Sequence, residues 1–329
     1  MNRYISVIIV NWNGKKWLKK CFDTLHKQTY TNFEIILVDN NSTDDSIKFT
    51  QLFYPKVRVI KSEVNLGFAG GNNLGIKYAK GEYILLLNND VWIESDFLQK
   101  LFNFYKLGNF DVVSAPEANY YTLQKTPQYV TQIDIFGHYV HKTINGLQKE
   151  NSFYLTGVCL LFKKELYLQT QGLDDGFFMY SEEVDWFWRL LLLKKKFSYI
   201  NDKYVYHAGG GSSGVGLKYK SFLWRNQNTL QMLIKNYSCF ILILVLPIYF
   251  IQNVIEIFFF YIALKPQIAN TYLQGWLYNI QNLNNILKKR RWIQKHRMVN
   301  DNEIFKHMYF GFGKLKHLRS VNICQFYKK

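Results

Sequence analysis

Cysteine is scarce in this 329-residue chain, and Cys21, Cys159, Cys239 and Cys324 lie far apart with no CxxC pair. Such spacing signals neither a disulfide framework nor a thiolate zinc site and fits a reducing compartment. Proline is nearly as scarce, with five copies, and no low-complexity tract interrupts the chain, which excludes collagen-like and linker-dominated architectures. The dinucleotide fingerprint GxGxxG follows neither the first apolar run nor the glycine cluster near residue 70, and no P-loop signature occurs. Dehydrogenase and P-loop NTPase readings lose their support with them. Acidic residues almost vanish from the last fifth, where residues 265–329 hold 13 Lys+Arg against 2 Asp+Glu. The net charge of +17 is therefore mainly a property of a tail, and a tail of this kind suits an anionic partner. Apolar material is ample: 48% hydrophobic and 18% aromatic residues exclude disorder. The opening run Ile5–Val10 is short for a secretory signal, lacks a small-residue cleavage site and reads as a first β-strand.

The first 116 residues alternate two patterns. Short apolar runs at Ile5–Val10, Ile35–Val38, Val57–Ile60, Tyr83–Leu87 and Val112–Val113 predict buried parallel strands. Amphipathic stretches between them, such as Trp17–Leu25 and Phe97–Tyr105, predict helices. Alternation of this kind argues for an open, mostly parallel sheet with helices on both faces, which binds ligands at the carboxyl ends of its strands. Asn11, Asp39 and the Asn88-Asn89-Asp90 group stand at such ends. Residues 117–150 show no clear period, and an apolar run Phe153–Phe162, a helix over about Ser181–Lys195 and a strand with glycine loop at Tyr204–Gly211 follow.

Each motif has a bland reading and a chemical one. In the segment starting at Asp39, Ser42 or Thr43 reads as a helix cap, with Asp44 and Asp45 complementing the dipole. The carboxylate at the strand end itself can accept a base imide N–H or a ribose hydroxyl. The Asn65–Asn73 cluster, with Gly67, is a glycine-rich helix entry that suits either phosphate approach or a tight turn. Asp90 is a turn former or a divalent-cation ligand that bridges a diphosphate. Glu182, Glu183 and Asp185, set among aromatic residues, form a helix-start cluster capped by Ser181, or a desolvated general base. His207 is a core histidine or a metal ligand.

Taken in order, VIIVNWNG (Val7–Gly14), LVDNNSTDDS (Leu37–Ser46), NLGFAGGNN (Asn65–Asn73), LLLNNDV (Leu85–Val91), FFMYSEEVDWFWR (Phe177–Arg189) and YHAGG (Tyr206–Gly210) resemble glycosyltransferase family 2, in particular its rhamnosyltransferase-like branch. The resemblance covers about residues 4–230. It implies an α/β GT-A fold, a nucleotide-diphosphate sugar donor, a divalent metal (Mg²⁺ or Mn²⁺) and inversion at the anomeric carbon. It implies further that Asp39 contacts the nucleotide base with Asn11 nearby, that Asn65, Gly67, Asn88 and Asn89 complete the nucleotide-sugar site, and that Asp90 and His207 hold the metal. The catalytic base then lies in Glu182-Glu183-Val184-Asp185. Asn88 stands where an acid is expected, and Glu183 where Asp is commoner. The acceptor implied is a hydroxyl of a glycan or lipid-linked molecule in surface polysaccharide synthesis. The competing reading is an inactive GT-A scaffold docked on lipid, with Asn88 as its main support.

The tail sets the remaining expectations. Cys239–Leu264 carries one charge, Glu256, and is long enough to span a bilayer. A single span would put the basic tail opposite the donor-using domain, against the positive-inside tendency. A re-entrant or in-plane arrangement avoids this, with Pro247 and Gln252-Asn253 supplying a bend. The basic run Lys288–Arg291 then faces anionic lipid on the cytoplasmic side of the membrane. Buried or dimer-interface helices are the bland alternative. Nucleic acid is not expected, because the tail interleaves few aromatics with its basic residues. The division predicted is 1–230 (catalytic), 231–264 (apolar) and 265–329 (basic helical).

Overall fold

The computed structural model describes residues 4–125, 129–143, 152–209 and 218–314. Gly210 and Gly211, part of the 117–150 insertion and the end of the basic tail lie outside the described residues. In chain order the elements are β1 (Ile5–Asn11), α1 (Lys15–His26), β2 (Phe33–Asp39), α2 (Ser46–Phe53), β3 (Arg58–Lys61), α3 (Gly67–Tyr78), β4 (Tyr83–Leu87), β5 (Val91–Trp92), α4 (Phe97–Leu107), β6 (Val112–Ser114), β7 (Glu117–Asn119), β8 (Tyr129–Ile133) and β9 (Tyr139–Thr143). Then come β10 (Cys159–Lys163), α5 (Lys164–Gln169), α6 (Glu182–Leu192), β11 (Phe197–Tyr199), β12 (Val205–His207), α7 (Lys218–Asn236), α8 (Cys239–Ile262), α9 (Pro266–Gln281), α10 (Leu283–His296) and α11 (Asp301–Phe305). They divide into two compact units: Met1–Pro127 with Leu155–Trp186 and Lys195–Leu217, and Gln128–Tyr154 with Phe187–Lys194 and Lys218–Lys329.

The first unit is built on a seven-stranded sheet of order β11-β6-β10-β4-β1-β2-β3. β1 lies parallel to β2 and β4, and β2 parallel to β3. Both faces are buried, as the unbroken apolar runs require. Ile5, Val7 and Ile9 point to one side, where Leu18, Cys21, Phe22 and Leu25 of α1 and Leu98, Leu101 and Phe102 of α4 close the core. Ile8 and Val38 point to the other, against α3. There Gly75 lets the helix lie close: a Cβ on it would sit 2.4 Å from Ile8 Cγ2. One feature goes beyond the sequence reading and one departs from it. The Phe153–Phe162 run yields a strand only from Cys159, and β10 runs antiparallel to both β4 and β6. A strand buried on both faces has the same apolar pattern in either direction, so periodicity does not reveal the reversal. Ser42 and Thr43 do not cap α2 either. Asp44 Oδ1 takes the Ser46 N–H and hydroxyl instead, while the Ser42 hydroxyl turns back to Asn11.

A smaller sheet, β5-β12-β7, stands in the same unit. Lys203, which precedes β12, is buried and bridges Glu94 at 2.5 Å and Asp96 at 2.6 Å. Hydrogen bonds from Lys203 and Lys100 hold the Asp96 carboxyl down to about 2. A carboxylate lowered in this way stabilises the fold above its unfolded pKa, near 4, and loses that contribution as pH falls toward 2. Lys203→Met is expected to cost roughly 1–2 kcal/mol at neutral pH, less than the ~3–5 of a fully buried pair because both carboxylates reach solvent. The deficit shrinks in acid, and urea melts at pH 7 and pH 3 check both statements.

The second unit carries the β8–β9 hairpin and α7–α11. The fully buried Asp134 organises the hairpin turn. Its Oδ1 accepts the N–H groups of Phe136 and His138, and its Oδ2 accepts that of Gly313 and faces His138 Nδ1 at 3.0 Å. The apolar segment is one continuous helix, α8, with Pro247 inside it, so the chain does not turn back at Gln252-Asn253. The last turns of the helix re-form beyond the proline because only one backbone donor is lost. α8 is long and apolar enough to cross a membrane by length and composition, with 17% of its most apolar window buried.

Candidate active site

Parallel strands bring their carboxyl ends to one edge, so each polar residue placed just after an apolar run arrives there together with the others. Asn11 and Asp39 are register partners at the ends of β1 and β2. Asn88, Asn89 and Asp90 follow β4, and His207, at the end of β12 in the smaller sheet, meets them there.

Asp39 is 2% exposed. Its Oδ2 accepts the Ser42 N–H at 3.1 Å, whereas its buried Oδ1 has no hydrogen-bond partner among the described residues. A buried acceptor left in this state costs about 1–3 kcal/mol, so the position favours an incoming donor group. The side chains around it are committed to one another. Asn89 Nδ2 donates to Asn11 Oδ1 at 2.8 Å, and Asn11 Nδ2 to the Ser42 hydroxyl. Gly14 makes room for that pair, since a Cβ there would lie 2.2 Å from Asn89 Nδ2. Asn40 Nδ2 donates to Asn65 Oδ1 and to the Gly67 carbonyl, and Asn40 Oδ1 accepts the Leu66 N–H. Gly67 has φ +71°, and a Cβ on it would strike the Phe178 carbonyl oxygen, which accepts the Phe68 N–H at 2.9 Å. The glycine cluster therefore joins the Asp39 strand end to the Phe177–Arg189 motif. Gly71 and Gly75 serve helix packing. Asn40 was missed by the sequence reading, and its only signal is its position beside Asp39.

Asp90, 4% exposed, places Oδ1 3.2 Å from His207 Nε2. His207 Nδ1 lies 2.8 Å from Glu117 Oε2, and Asn88 Nδ2 approaches Nε2 at 3.5 Å. Burial would lower the His207 pKa, but hydrogen bonds to Asp90 and Glu117 outweigh it and push it up to about 10. The imidazolium thus acts as the cation between two carboxylates. The same atoms fit a divalent metal. Ligands about 2.1 Å from Mg²⁺ at adjacent octahedral positions lie about 3 Å apart, close to the Asp90–His207 separation. Were Nε2 to give up its proton to a bound cation, the Nδ1–H directed at Glu117 would hold the ring with its Nε2 lone pair toward Asp90, as in a carboxylate–histidine–metal arrangement. Among the described residues no group of three or more His, Cys, Asp or Glu side chains forms a ready-made site. Asp90 and His207 would supply two donors to such an ion, and phosphate oxygens and water the rest. Glu117 was also missed. It lies in the unreadable insertion and reaches His207 only because β7 pairs with β12.

The acidic cluster opens α6. Tyr180 and Ser181 precede it with φ +71° and +68°, a left-handed pair of non-glycine residues of the kind that costs about 1–3 kcal/mol each and concentrates at functional sites. Ser181 occupies the cap position through its carbonyl, which accepts the Asp185 N–H at 2.9 Å, but without the extended backbone usual for a cap. Glu182 and Asp185 are buried, whereas Glu183 is half-buried. A cleft of ≈ 380 Å³ opens beside His207, lined by Glu117, Asn119, Gln124, Lys125 and Gly209.

Polar strand ends at one edge of a mostly parallel sheet, with helices on both faces, describe an α/β fold of the GT-A type. Similar folds occur in GalNAc-T7, solved with UDP, GalNAc and Mn²⁺ (TM-score 0.59, 15% identity, 70% of this chain and 47% of that one), and in Staphylococcus aureus TarS 1-349 with UDP (TM-score 0.52, 20% identity, 70% and 66%). Residues 6–170 match the model of glycosyl transferase family 2, and the chain belongs to that family. It is 31% identical over 231 residues to glycosyltransferase GlyG of Streptococcus pneumoniae, covering 64% of this chain and 73% of GlyG. It is 27% identical over 251 residues to the cholesterol galactosyltransferase of Borreliella burgdorferi, covering 72% and 69%.

Proposed function

We propose that the chain transfers a sugar, with inversion, from a nucleotide-diphosphate donor to a hydroxyl of a glycan or lipid-linked acceptor at the cytoplasmic face of a membrane. The observation that carries this reading is the Asp90–His207–Glu117 arrangement, in which Asp90 follows β4 at the same sheet edge as the open carboxylate oxygen of Asp39. In this reading Asp39 receives the base or ribose, and Asn11, Asn65, Gly67, Asn88 and Asn89 hold the loops that surround the donor. Asp90 and His207 hold Mg²⁺ or Mn²⁺, which when bound neutralises charge on the leaving diphosphate. Glu183 takes the proton of the acceptor hydroxyl as the new C–O bond forms and the bond to the diphosphate oxygen breaks. UDP is the first nucleotide to test, because both structural neighbours were solved with it. Rhamnose is one sugar that the motif resemblance admits, alongside hexoses.

The test is thermal stabilisation by UDP, dTDP and GDP with and without Mn²⁺, followed by donor hydrolysis across a panel of nucleotide sugars. Cation-dependent stabilisation by one nucleotide supports the reading, and no response to any of them overturns it. Asp39→Ala is expected to weaken binding of that nucleotide about 10- to 100-fold, the value of one hydrogen bond to a charged group. Calorimetric titration measures the loss.

A further inference from the structure

We infer that the second unit docks on an anionic bilayer with α8 lying in the plane of the interface, one face in lipid and the other on protein. This rests on the membrane part of the functional reading and is independent of the catalytic assignments.

Polar contacts hold α8 along its whole length. At its start Arg290 donates to Cys239 Sγ at 3.2 Å and to the Tyr237 carbonyl just before the helix, and Ser238 N donates to Asp301. In its middle Val245, Tyr249 and Asn253 are buried, and Phe250 packs edge-on against Trp276 of α9. In its second half Glu256 receives both Lys314 Nζ, at 2.6 Å, and the Tyr272 hydroxyl, at 2.5 Å. Near its end the Tyr261 hydroxyl donates to Asn270. A transmembrane α8 would take this ion pair and the amide-bearing flank of α9 into hydrocarbon with it, where such groups are costly.

The opposite face has no such partners among the described residues. Phe240, Ile251 and Ile262 recur at eleven-residue intervals, about three helical turns, and so share a face. They are 70%, 60% and 81% exposed, and Ile255 and Phe258 lie beside them. At roughly 100° per residue the buried residues Val245, Tyr249 and Asn253 fall on the opposite side of the same helix. This is a helix apolar on its outer face, and charge determines what covers that face. α10 presents Lys288, Arg291 and Lys295 as an exposed row. The two acids of the region, Asp301 and Glu303, pair with Arg297 and Lys306, leaving that row uncompensated among the described residues. Arg290, on the inner face of α10, donates to the Tyr237 carbonyl and reaches Cys239 Sγ at the start of α8, so the exposed basic row belongs to a helix held at that start. An exposed apolar strip and an uncompensated cationic row in one unit complement anionic headgroups over acyl chains.

The experiment uses the full chain with vesicles of neutral phosphatidylcholine and of phosphatidylcholine with phosphatidylglycerol. Flotation is expected with the anionic vesicles and to fall about tenfold or more in a Lys288→Glu/Arg291→Glu/Lys295→Glu variant. Equal binding to neutral vesicles, or binding unchanged by the variant, overturns the proposal. Spin labels at Phe240→Cys, Ile251→Cys and Ile262→Cys, in a chain with Cys239→Ser and Cys324→Ser, report depth. In-plane docking gives all three the same shallow depth. A deep label at 251 between two shallow ones shows a span, and no depth at any label with a dimer by light scattering shows an interface between copies, and either result overturns it. Donor hydrolysis without vesicles is expected to be the same in the triple variant. A failure of hydrolysis in the parent chain counts against the catalytic reading and leaves the docking result standing.

Discussion

Glu183→Gln is expected to lower kcat for sugar transfer by about 10²- to 10⁴-fold while the donor KM stays within about twofold. The substitution keeps the shape of the side chain and removes only its capacity to take a proton. Of the three acids at the start of α6, Glu182 and Asp185 are buried and Glu183 is half-buried, so Glu183 is the one an acceptor hydroxyl can approach. The left-handed backbone at Tyr180 and Ser181 fixes where the helix starts and hence where that carboxylate stands. All three acids also lie in the first turn, where they complement the helix dipole, and this structural role costs only about 0.3–1 kcal/mol when one is neutralised. Thermal melting of Glu183→Gln separates the two roles. A stable protein with lost kcat supports the base, whereas kcat within threefold of the parent removes Glu183 from the mechanism. Glu182→Gln serves as the control and is expected to act mainly on stability, because its carboxylate is enclosed.

The part of this site readable from sequence is the part written in consecutive residues. Strand ends announced themselves because a buried parallel strand must be continuously apolar, and the first polar residue after it, Asn11, Asp39 or Asn88, is forced to the rim. The antiparallel course of β10 was not readable, because direction leaves no mark on a strand buried on both faces. Glu117 and Asn40 were not readable either. Each acts by touching a residue brought near by strand pairing, His207 in one case and Asn65 in the other. The glycine cluster was only half legible. Composition suggested phosphate approach, whereas Gly71 and Gly75 are set by the distance between α3 and the sheet, and Gly67 alone has the left-handed backbone. The break expected in Cys239–Leu264 did not form, because a proline on the exposed side of a long helix leaves the contacts on the inner side intact.

Asp90→Ala is expected to abolish measurable transfer, a loss of about 10³-fold or more, since in the proposed reading it removes the carboxylate that would hold the leaving diphosphate's counter-cation. The protein remains folded in this variant, because Glu117 continues to pair with His207. The informative companion is Glu117→Gln. Glu117 would touch neither cation nor donor. It positions the imidazole by accepting from Nδ1, and loss of such an outer partner typically weakens metal binding about 10- to 100-fold. Glu117→Gln is therefore expected to move the Mn²⁺ activation midpoint upward by that factor and to regain most of the parental kcat at saturating Mn²⁺. Asp90→Ala is not expected to regain activity at any Mn²⁺ concentration. Equal loss in both variants without recovery would show that Glu117 acts on the donor or the fold and not on the metal. Parental activity in Asp90→Ala would show that the chain neutralises the leaving group without a cation held at Asp90.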